Sequence, residues 1–281
     1  MRNNSTIDLN FTINSGQVFL WDKIGDRWFG INGDELLVIT DPFQIGLSSK
    51  SVCHFFRQDD NLNKILSDIS RDSLVGATVK QFLGLRLIRQ DPFQCYISFI
   101  CSSNSSIRNI KNMLLRLCQK FGNKIEFENQ QFSTFPSAER LANATTKDLL
   151  SCGLGFRAKY VKDAVKAVNL EKIEFESLRK TDYRSALDTL KTVRGIGNKI
   201  ADCILLFSLD KLESFPIDRW TQRILQKYYP KIFDARHGKS LTEKKYTSLH
   251  EKIVEHFGPY SGYSQQFLFK MERDLNKKKW L

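Results

Sequence analysis

A change in hydrophobic periodicity near residue 51 constrains the fold more than any other feature of this sequence. Before residue 51, apolar residues alternate with polar ones or form short runs between turn signals, whereas later segments carry the three- and four-residue spacing of helices. Strands are predicted at 7–13, 18–21, 27–31 and 35–40, with a hairpin turn at Asn32-Gly33. The sequence therefore predicts an α+β fold, in which a small N-terminal antiparallel sheet domain (residues 1–88) leads into a mostly α-helical body (residues 89–281).

The charge of the chain favours a polyanionic partner. Its 43 Lys and Arg outnumber its 31 Asp and Glu, giving a formal net charge of +12. Binding of such a protein to nucleic acid releases counterions condensed on the phosphates. The segment MRNNSTIDLNFTI lacks the pattern of a signal peptide, and apolar runs such as CILLFSL (203–209) are too short to cross a membrane. We therefore expect an intracellular protein with no membrane partner.

The cysteine pattern argues against a metal site. None of the six cysteines forms a C-x-x-C pair, and the four histidines show no metal-like spacing. Close-spaced pairs are the usual mark of zinc or iron–sulfur ligation. We predict reduced, mostly buried thiols, with no metal and no cofactor.

The helical body contains a glycine turn between two helices. Helices are predicted through 93–100, 105–122 (ending at Gly122) and 158–168. Residues 191–209 then read KTVRGIGNKIADCILLFSL, in which Gly195 and Gly197 allow a tight turn before a helix that starts near Asn198. The turn amides and the helix N-terminus can face a DNA phosphate. This helix–hairpin–helix pattern, at about 183–209, also occurs in proteins that hold DNA without catalysis.

Lys199 lies in the first turn of the second helix and shares a face with Cys203. A cation there is unfavourable for stability, because the helix dipole repels it. The same placement favours the neutral amine that a nucleophile must be, provided that burial under a substrate assists. Two interpretations remain open from these residues alone: a nucleophile, or a solvated phosphate-binding lysine.

Asp218 lies 19 residues after Lys199, in the segment ESFPIDRWTQRIL (213–225). Asp218 is in the N-cap position of a helix predicted to begin at Arg219, and Pro216 restricts the backbone of the segment before it. A capped carboxylate points in a fixed direction, so capping is compatible with catalysis. Departure of a base from a sugar builds positive charge on the ring, which a carboxylate would stabilise.

With these residues in view, the chain resembles the 8-oxoguanine DNA glycosylases of the helix–hairpin–helix superfamily. The resemblance covers nearly the whole chain and rests on several separated motifs in the same order. These motifs are NSGQVFLW (14–21), RQDPFQCYISFICSSN (89–104), GLGFRAKYV (153–161), VRGIGNKIADC (193–203), FPID (215–218) and GPYSGYSQQFLF (258–269).

The resemblance implies a bifunctional DNA glycosylase/AP lyase that acts as a monomer on double-stranded DNA containing 8-oxoguanine. Lys199 would displace the base, form a Schiff base with the sugar and permit strand cleavage by β-elimination. Asp218, in a catalytic loop at 213–219, would stabilise the developing sugar cation.

The resemblance also implies a base pocket partly built by a C-terminal helix. Phe269 would stack on the flipped base, with Cys203 against its other face, and Gln265 would bond the pairing edge. The carbonyl of Gly16 would accept a hydrogen that 8-oxoguanine carries and guanine lacks. One such contact contributes only about 1–3 kcal/mol, so selectivity must draw on more than this bond.

Other residues are assigned to the duplex by the same resemblance. Asn104 would fill the hole left by the extruded base, and Arg157 would read the orphaned cytosine. Simpler interpretations are a helix cap for Asn104 and a surface arginine for Arg157. Gly195 and Gly197 would lie at the phosphate backbone.

The chain departs from the animal members at three positions. It has Asn109 where they carry a second cytosine-reading arginine, Phe156 where they carry a wedge tyrosine, and Trp220 where they carry a phosphate-binding histidine. Asn109 cannot reproduce the forked contacts of arginine, so we hypothesise weaker discrimination of the opposite base. Phe156 can still wedge between bases.

Two alternative functions remain. One is a glycosylase for another modified purine; enzymes for alkylated bases generally lack a lysine at position 199, and the mismatch branch usually carries an iron–sulfur cluster. The other is a non-catalytic helix–hairpin–helix DNA-binding protein, which would need neither Asp218 nor the pair Gln265 and Phe269.

Overall fold

The N-terminal part of the protein contains a three-stranded antiparallel sheet. The computed structural model describes residues 7–40, 45, 49–233 and 241–276. Strands β1 (Trp21–Ile24), β2 (Arg27–Asn32) and β3 (Glu35–Ile39) lie in chain order, and Asn32 pairs with Glu35 across the predicted hairpin turn. The α+β prediction is confirmed.

The prediction of a strand at 7–13 is wrong. Leu9–Ile13 form a short helix, α1, and Asp8 caps it by accepting a hydrogen bond from the amide of Phe11 at 2.7 Å. Leu9 and Ile13 are four residues apart, so they satisfy the period of a strand and that of a helix equally. The Asp8 cap and the burial of Thr12 favour the helix over the strand. Of the predicted strand 18–21, only Trp21 enters the sheet.

A second hairpin interrupts the helical body, which the periodicity did not predict. Strands β4 (Lys124–Phe127) and β5 (Gln130–Ser133) pair around Glu128 and Asn129, both of which have positive φ. Its apolar face covers the first sheet, since the ring of Phe132 stacks on that of Phe29 at 5.3 Å. The hairpin therefore extends the N-terminal layer with residues from the body.

The remaining elements are helices, and the predicted helices all appear among them. Gly122 is the C-cap of α6, as predicted. The helices are α2 (Lys50–Phe55), α3 (Leu62–Ile69), α4 (Ser73–Gln81), α5 (Pro92–Cys101), α6 (Ile107–Phe121), α7 (Ala138–Ala142), α8 (Thr146–Ser151), α9 (Arg157–Asn169), α10 (Phe175–Lys180), α11 (Tyr183–Lys191), α12 (Asn198–Ser208), α13 (Arg219–Tyr228), α14 (Glu243–Phe257) and α15 (Ser261–Leu275).

Helices α5 and α12 form the centre of the main core. Residues 94–101 and 200–208 are buried on every side, and the rings of Phe99 and Phe207 stack at 5.5 Å. A smaller core lies under the sheet around Trp21, Phe55 and Ile88. Because α12 lies at the centre of the core, the backbone of its first turn, which carries Lys199, is held in place.

Buried ion pairs connect the two parts. Arg57 and Arg89 are almost fully buried; Arg57 places a guanidinium nitrogen 2.7 Å from Asp210 of the body, and Arg89 places one 3.0 Å from Asp59 of the N-terminal part. Such charges are tolerated in an interior only when they are paired. The division between residues 88 and 89 stays a prediction.

Helix α15 returns to the N-terminal segment. Gln266 donates a hydrogen bond to the carbonyl of Ser15 at 3.2 Å, and Arg273 donates to that of Asn14 at 2.9 Å. The helix thereby places its inner face beside Gly16. Every helix in the described part of the chain is too short or too polar to span a bilayer.

Candidate active site

A cavity of about 1150 Å³ opens where the glycine turn, the 213–219 loop and α15 meet. Its walls come from segments far apart in sequence, including the link between α5 and α6. Predicted site residues in the wall are Gly16, Asn104, Gly197, Lys199, Asp218, Trp220 and Phe269, and Asn109 also lines it. The cavity therefore brings together the proposed nucleophile, the carboxylate and part of the base pocket.

The glycine turn holds Lys199 at the cavity wall. Gly195 has φ +95°, and a Cβ there would lie 2.5 Å from Cγ of Tyr160, so neither the backbone nor the space tolerates a side chain. Gly197 is exposed and extended, with nothing within 4 Å of a Cβ position. Lys199 is half-buried; its Nζ lies 3.4 Å from Oγ of Ser102 and 5.5 Å from the ring centroid of Phe99. Lys199 is therefore partly buried at the cavity wall, and its assignment as a nucleophile stays a prediction.

Asp218 is the N-cap of α13, as the sequence predicted. Its Oδ1 accepts hydrogen bonds from the amides of Trp220 at 2.9 Å and Thr221 at 2.8 Å. Among the residues that the structure describes, none donates a hydrogen bond to Oδ2. The cap thus fixes the carboxylate through one oxygen while the side chain lines the cavity.

Gly16 and Phe269 face each other across one end of the cavity. Gly16 has φ +90°, and a Cβ there would lie 3.5 Å from Cε1 of Phe269 and 3.3 Å from Nη1 of Arg273. A substitution would combine backbone strain with crowding at this point. The structure therefore brings these two predicted base-binding residues together.

Gln265 and Cys203 lie below the cavity surface. The amide nitrogen of Gln265 is 3.4 Å from Oγ1 of Thr221, whereas its Oε1 is buried and accepts no hydrogen bond from the described residues. An unsatisfied buried acceptor of this kind is uncommon. Burial raises the pKa of the Cys203 thiol to about 12, although the charge of Lys199 opposes the rise. The thiol stays protonated and is not part of the cavity wall.

Asn104 belongs to the link between α5 and α6. Ser102 is the C-cap of α5 and Ser106 is the N-cap of α6, so the interpretation of Asn104 as a helix cap is wrong. Asn104 is exposed at φ +49° and lines the cavity.

Arg157 is buried beneath that link, so a surface arginine is also wrong. Its guanidinium donates to the carbonyls of Ser103 at 2.9 Å, Asn104 at 3.1 Å and Leu154 at 3.4 Å. It therefore supports the positive-φ conformation of Asn104 and does not line the cavity. The ring of Phe156 lies 4.4 Å from the same guanidinium and is 51% exposed.

Trp220 lines the cavity at the start of α13. The guanidinium of Arg223 lies 4.7 Å from the centroid of its ring, within the range of a cation–π contact. A guanidinium thus stands beside the position where animal members carry their phosphate-binding histidine.

Sequence reasoning missed a buried carboxylate three residues after Lys199. Asp202 is fully buried, and burial raises its pKa to about 7, against the opposing hydrogen bonds from Tyr246 and Tyr183. The available signal was an acidic residue inside the apolar run IADCILLF. Its partners Tyr183 and Tyr246 are distant in sequence, so the sequence around Asp202 did not indicate them.

Comparisons with known proteins agree with this geometry. Residues 97–252 match the HhH-GPD superfamily of base excision DNA repair proteins, and residues 1–96 match the N-terminal domain of 8-oxoguanine DNA glycosylase. The chain is 30% identical to the N-glycosylase/DNA lyase OGG1 of Arabidopsis thaliana, over 96% of this chain and 79% of the relative.

Solved structures show the same similarity. A Clostridium acetobutylicum 8-oxoguanine glycosylase/lyase, in complex with double-stranded DNA containing cytosine opposite 8-oxoguanine, is 28% identical with a TM-score of 0.83, covering 96% of this chain and 93% of that one. A 3-methyladenine DNA glycosylase from Archaeoglobus fulgidus, at 17% identity and a TM-score of 0.72, shares the fold.

Proposed function

Because the chain belongs to the HhH-GPD superfamily of base excision DNA repair proteins and is a DNA N-glycosylase with AP lyase activity, we propose that it flips 8-oxoguanine out of duplex DNA and excises it. The observation that carries the proposal is the convergence of Lys199, Asp218 and Phe269 on one cavity of about 1150 Å³. A cavity of this size admits a flipped nucleotide.

Lys199 is the proposed nucleophile. Its neutral amine attacks C1′ of the deoxyribose, and the electron pair of the C1′–N9 bond leaves with the base. Opening of the sugar ring then gives the protonated Schiff base. Loss of a C2′ proton from this species expels the 3′-phosphate, which completes β-elimination. The placement of Nζ at the cavity wall supports this role.

Asp218 is the proposed electrostatic partner. As the C1′–N9 bond lengthens, positive charge develops on the sugar, and a carboxylate held in advance stabilises it without reorganising. The two hydrogen bonds at Oδ1 support the role because they orient the group before substrate binds.

The base is held by the residues around Gly16. In this proposal the Gly16 carbonyl accepts a hydrogen from the oxidised purine, and Phe269 stacks on one face while Cys203 supports the other. The unsatisfied Oε1 of Gln265 supports a bond to a donor on the pairing edge, because such a bond would satisfy a buried acceptor.

The duplex is held by the glycine turn and the link between α5 and α6. We propose that Gly195 and Gly197 present amides to a phosphate, that Trp220 lies against the backbone, and that Asn104 fills the hole left by the base. Phe156 wedges between bases, which its exposure supports. Arg157 reads the opposite cytosine through a rearrangement of its present bonds. The enzyme acts as a monomer inside the cell, in the cytoplasm or nucleoid, or in the nucleus of a eukaryote. Its two domains meet between residues 88 and 89.

Reductive trapping tests the proposal. Incubated with borohydride and a duplex containing 8-oxoguanine, wild type should form a covalent complex, whereas Lys199→Gln should bind the duplex without trapping. Lys191→Gln, on the preceding helix, removes the same charge and serves as the matched control; it should still trap.

The outcomes separate the alternatives. Trapping that persists in Lys199→Gln would remove this lysine from the mechanism. Trapping on another damaged purine but not on 8-oxoguanine would favour the related glycosylases, and binding without excision of either would favour a non-catalytic hairpin protein.

A further inference from the structure

The Asp202 carboxylate lies one turn along α12 from Lys199 and is held by two tyrosine hydroxyls. Oδ1 accepts a hydrogen bond from Tyr183 at 2.8 Å, and Oδ2 accepts one from Tyr246. The side chain of Asp202 has no exposed surface. Bonds of hydroxyls to a carboxylate in such a low-dielectric site are strong, so they hold the three side chains together.

Tyr246 differs from Tyr183 in what else its hydroxyl binds. The Tyr246 oxygen also accepts a hydrogen bond from the backbone amide of Ile217 at 3.2 Å. Ile217 directly precedes Asp218. One hydroxyl therefore connects the helix that carries Lys199 to the backbone of the loop that carries Asp218.

Within the described ranges, the Tyr183 hydroxyl makes no such connection to the 213–219 loop. That group bonds Asp202, and the Tyr183 ring stacks on His250 at 4.4 Å with an interplanar angle of 7°. Removing the Tyr183 hydroxyl leaves this stack in place. It also leaves Tyr246 bonded to Asp202 and to the loop.

Resting on the proposed function, we propose that Tyr246 is a positioning residue for base excision, whose hydroxyl sets the place of Asp218 relative to Lys199 by joining Asp202 to the Ile217 amide. Helix α12 stays anchored in the core without this hydroxyl. The 213–219 loop loses an amide acceptor, so the carboxylate is the group that shifts. A displacement of about 1 Å at a catalytic group can cost on the order of 100-fold in rate.

The test compares Tyr246→Phe with Tyr183→Phe in two assays. The first is single-turnover excision of 8-oxoguanine with enzyme in excess. The second is borohydride trapping on a duplex with a preformed abasic site, where the amine of Lys199 adds to an aldehyde and no base has to leave. Because only folded enzyme can be trapped, the trapping assay also measures the amount of folded protein. Excision rates are therefore given per molecule of enzyme that can be trapped.

Tyr246→Phe should slow excision by about 10- to 100-fold while trapping on abasic DNA stays within about threefold of wild type. Tyr183→Phe removes an equivalent bond to Asp202 and should stay within about threefold in both assays. A general loosening of the structure would instead lower both activities together, and would do so in both variants.

The inference would be overturned by excision by Tyr246→Phe close to wild type, by an equal loss in both assays, or by an equal loss in Tyr183→Phe. Absence of abasic trapping in Tyr246→Phe would overturn it too, because the hydroxyl would then be needed for folding. If wild type excises the lesion, these results leave the proposed function intact; if wild type leaves the lesion in place, both proposals fail.

Discussion

Replacing Asp218 by asparagine separates the capping role of this residue from its proposed catalytic role. The amide oxygen of asparagine can accept the same two backbone hydrogen bonds, and asparagine caps helices about as well as aspartate. The charge is lost, and the second oxygen becomes an NH2 group. The interaction of the charge with the positive end of α13 is worth about 0.3–1 kcal/mol, which lowers the melting temperature by about 2–4 °C or less.

The catalytic loss should be much larger. Two unit charges about 4 Å apart interact by about 4 kcal/mol at an effective dielectric constant of about 20. If the carboxylate meets the developing sugar cation at such a distance, its neutralisation raises the barrier by that amount, which is about 1000-fold in rate. Asp218→Asn should therefore remain folded and bind damaged duplex, with single-turnover excision slower by about three orders of magnitude.

Asp182→Asn is the matched control. Asp182 is also an N-cap aspartate, and its Oδ1 accepts a hydrogen bond from the amide of Ser185 at 3.0 Å, but it does not line the cavity. It should show a small loss of thermal stability and wild-type excision. Excision by Asp218→Asn within about tenfold of wild type, or an equal loss in Asp182→Asn, would refute the electrostatic reasoning.

Three further predictions concern the turn, the buried carboxylate and the opposite base. Gly197→Ala should unfold like wild type, because its φ is −99° and nothing lies within 4 Å of the added methyl, yet should bind duplex more weakly in a fluorescence titration; unchanged affinity would place the phosphate elsewhere. The pKa of Asp202 rises from 3.8 to about 7 on folding, so its contribution to stability is present below about pH 4 and lost as the pH rises towards 7. The melting temperature of wild type should therefore fall relative to that of Asp202→Asn between these pH values, and a constant difference would contradict the shift. Wild type should excise 8-oxoguanine opposite cytosine and adenine at rates within about tenfold, and Asn109→Arg should raise the preference for cytosine; a wild-type preference of orders of magnitude would contradict this.

Local signals made the elements that carry the proposed catalytic residues predictable. The two glycines of the turn, the proline before Asp218 and the helix that follows it act on their own neighbours in sequence, so the residues themselves specify the geometry. The hairpin and the Asp218 cap were confirmed for this reason.

Ambiguous or weak local signals produced the errors. Leu9 and Ile13 fit two periods, and the short strands around Glu128 and Asn129 carry few apolar residues and no glycine turn. In both places the local sequence allows more than one structure, and packing against the rest of the protein decides.

Contacts between distant segments could not be predicted. Asp202 meets Tyr246 across 44 residues, and Arg157 reaches the carbonyl of Ser103 across 54. A single sequence gives the identity of such residues without giving their partner. Arg157 therefore received two interpretations, and neither described its position beneath the Asn104 link.

The bond between Gln266 and Ser15 joins residues 251 positions apart, so the end of the cavity between Gly16 and Phe269 can form only after the intervening chain has been made. During translation the segment around Gly16 leaves the ribosome well before the helix that carries Phe269. The residues of the glycine turn are therefore synthesised before this end of the cavity can form.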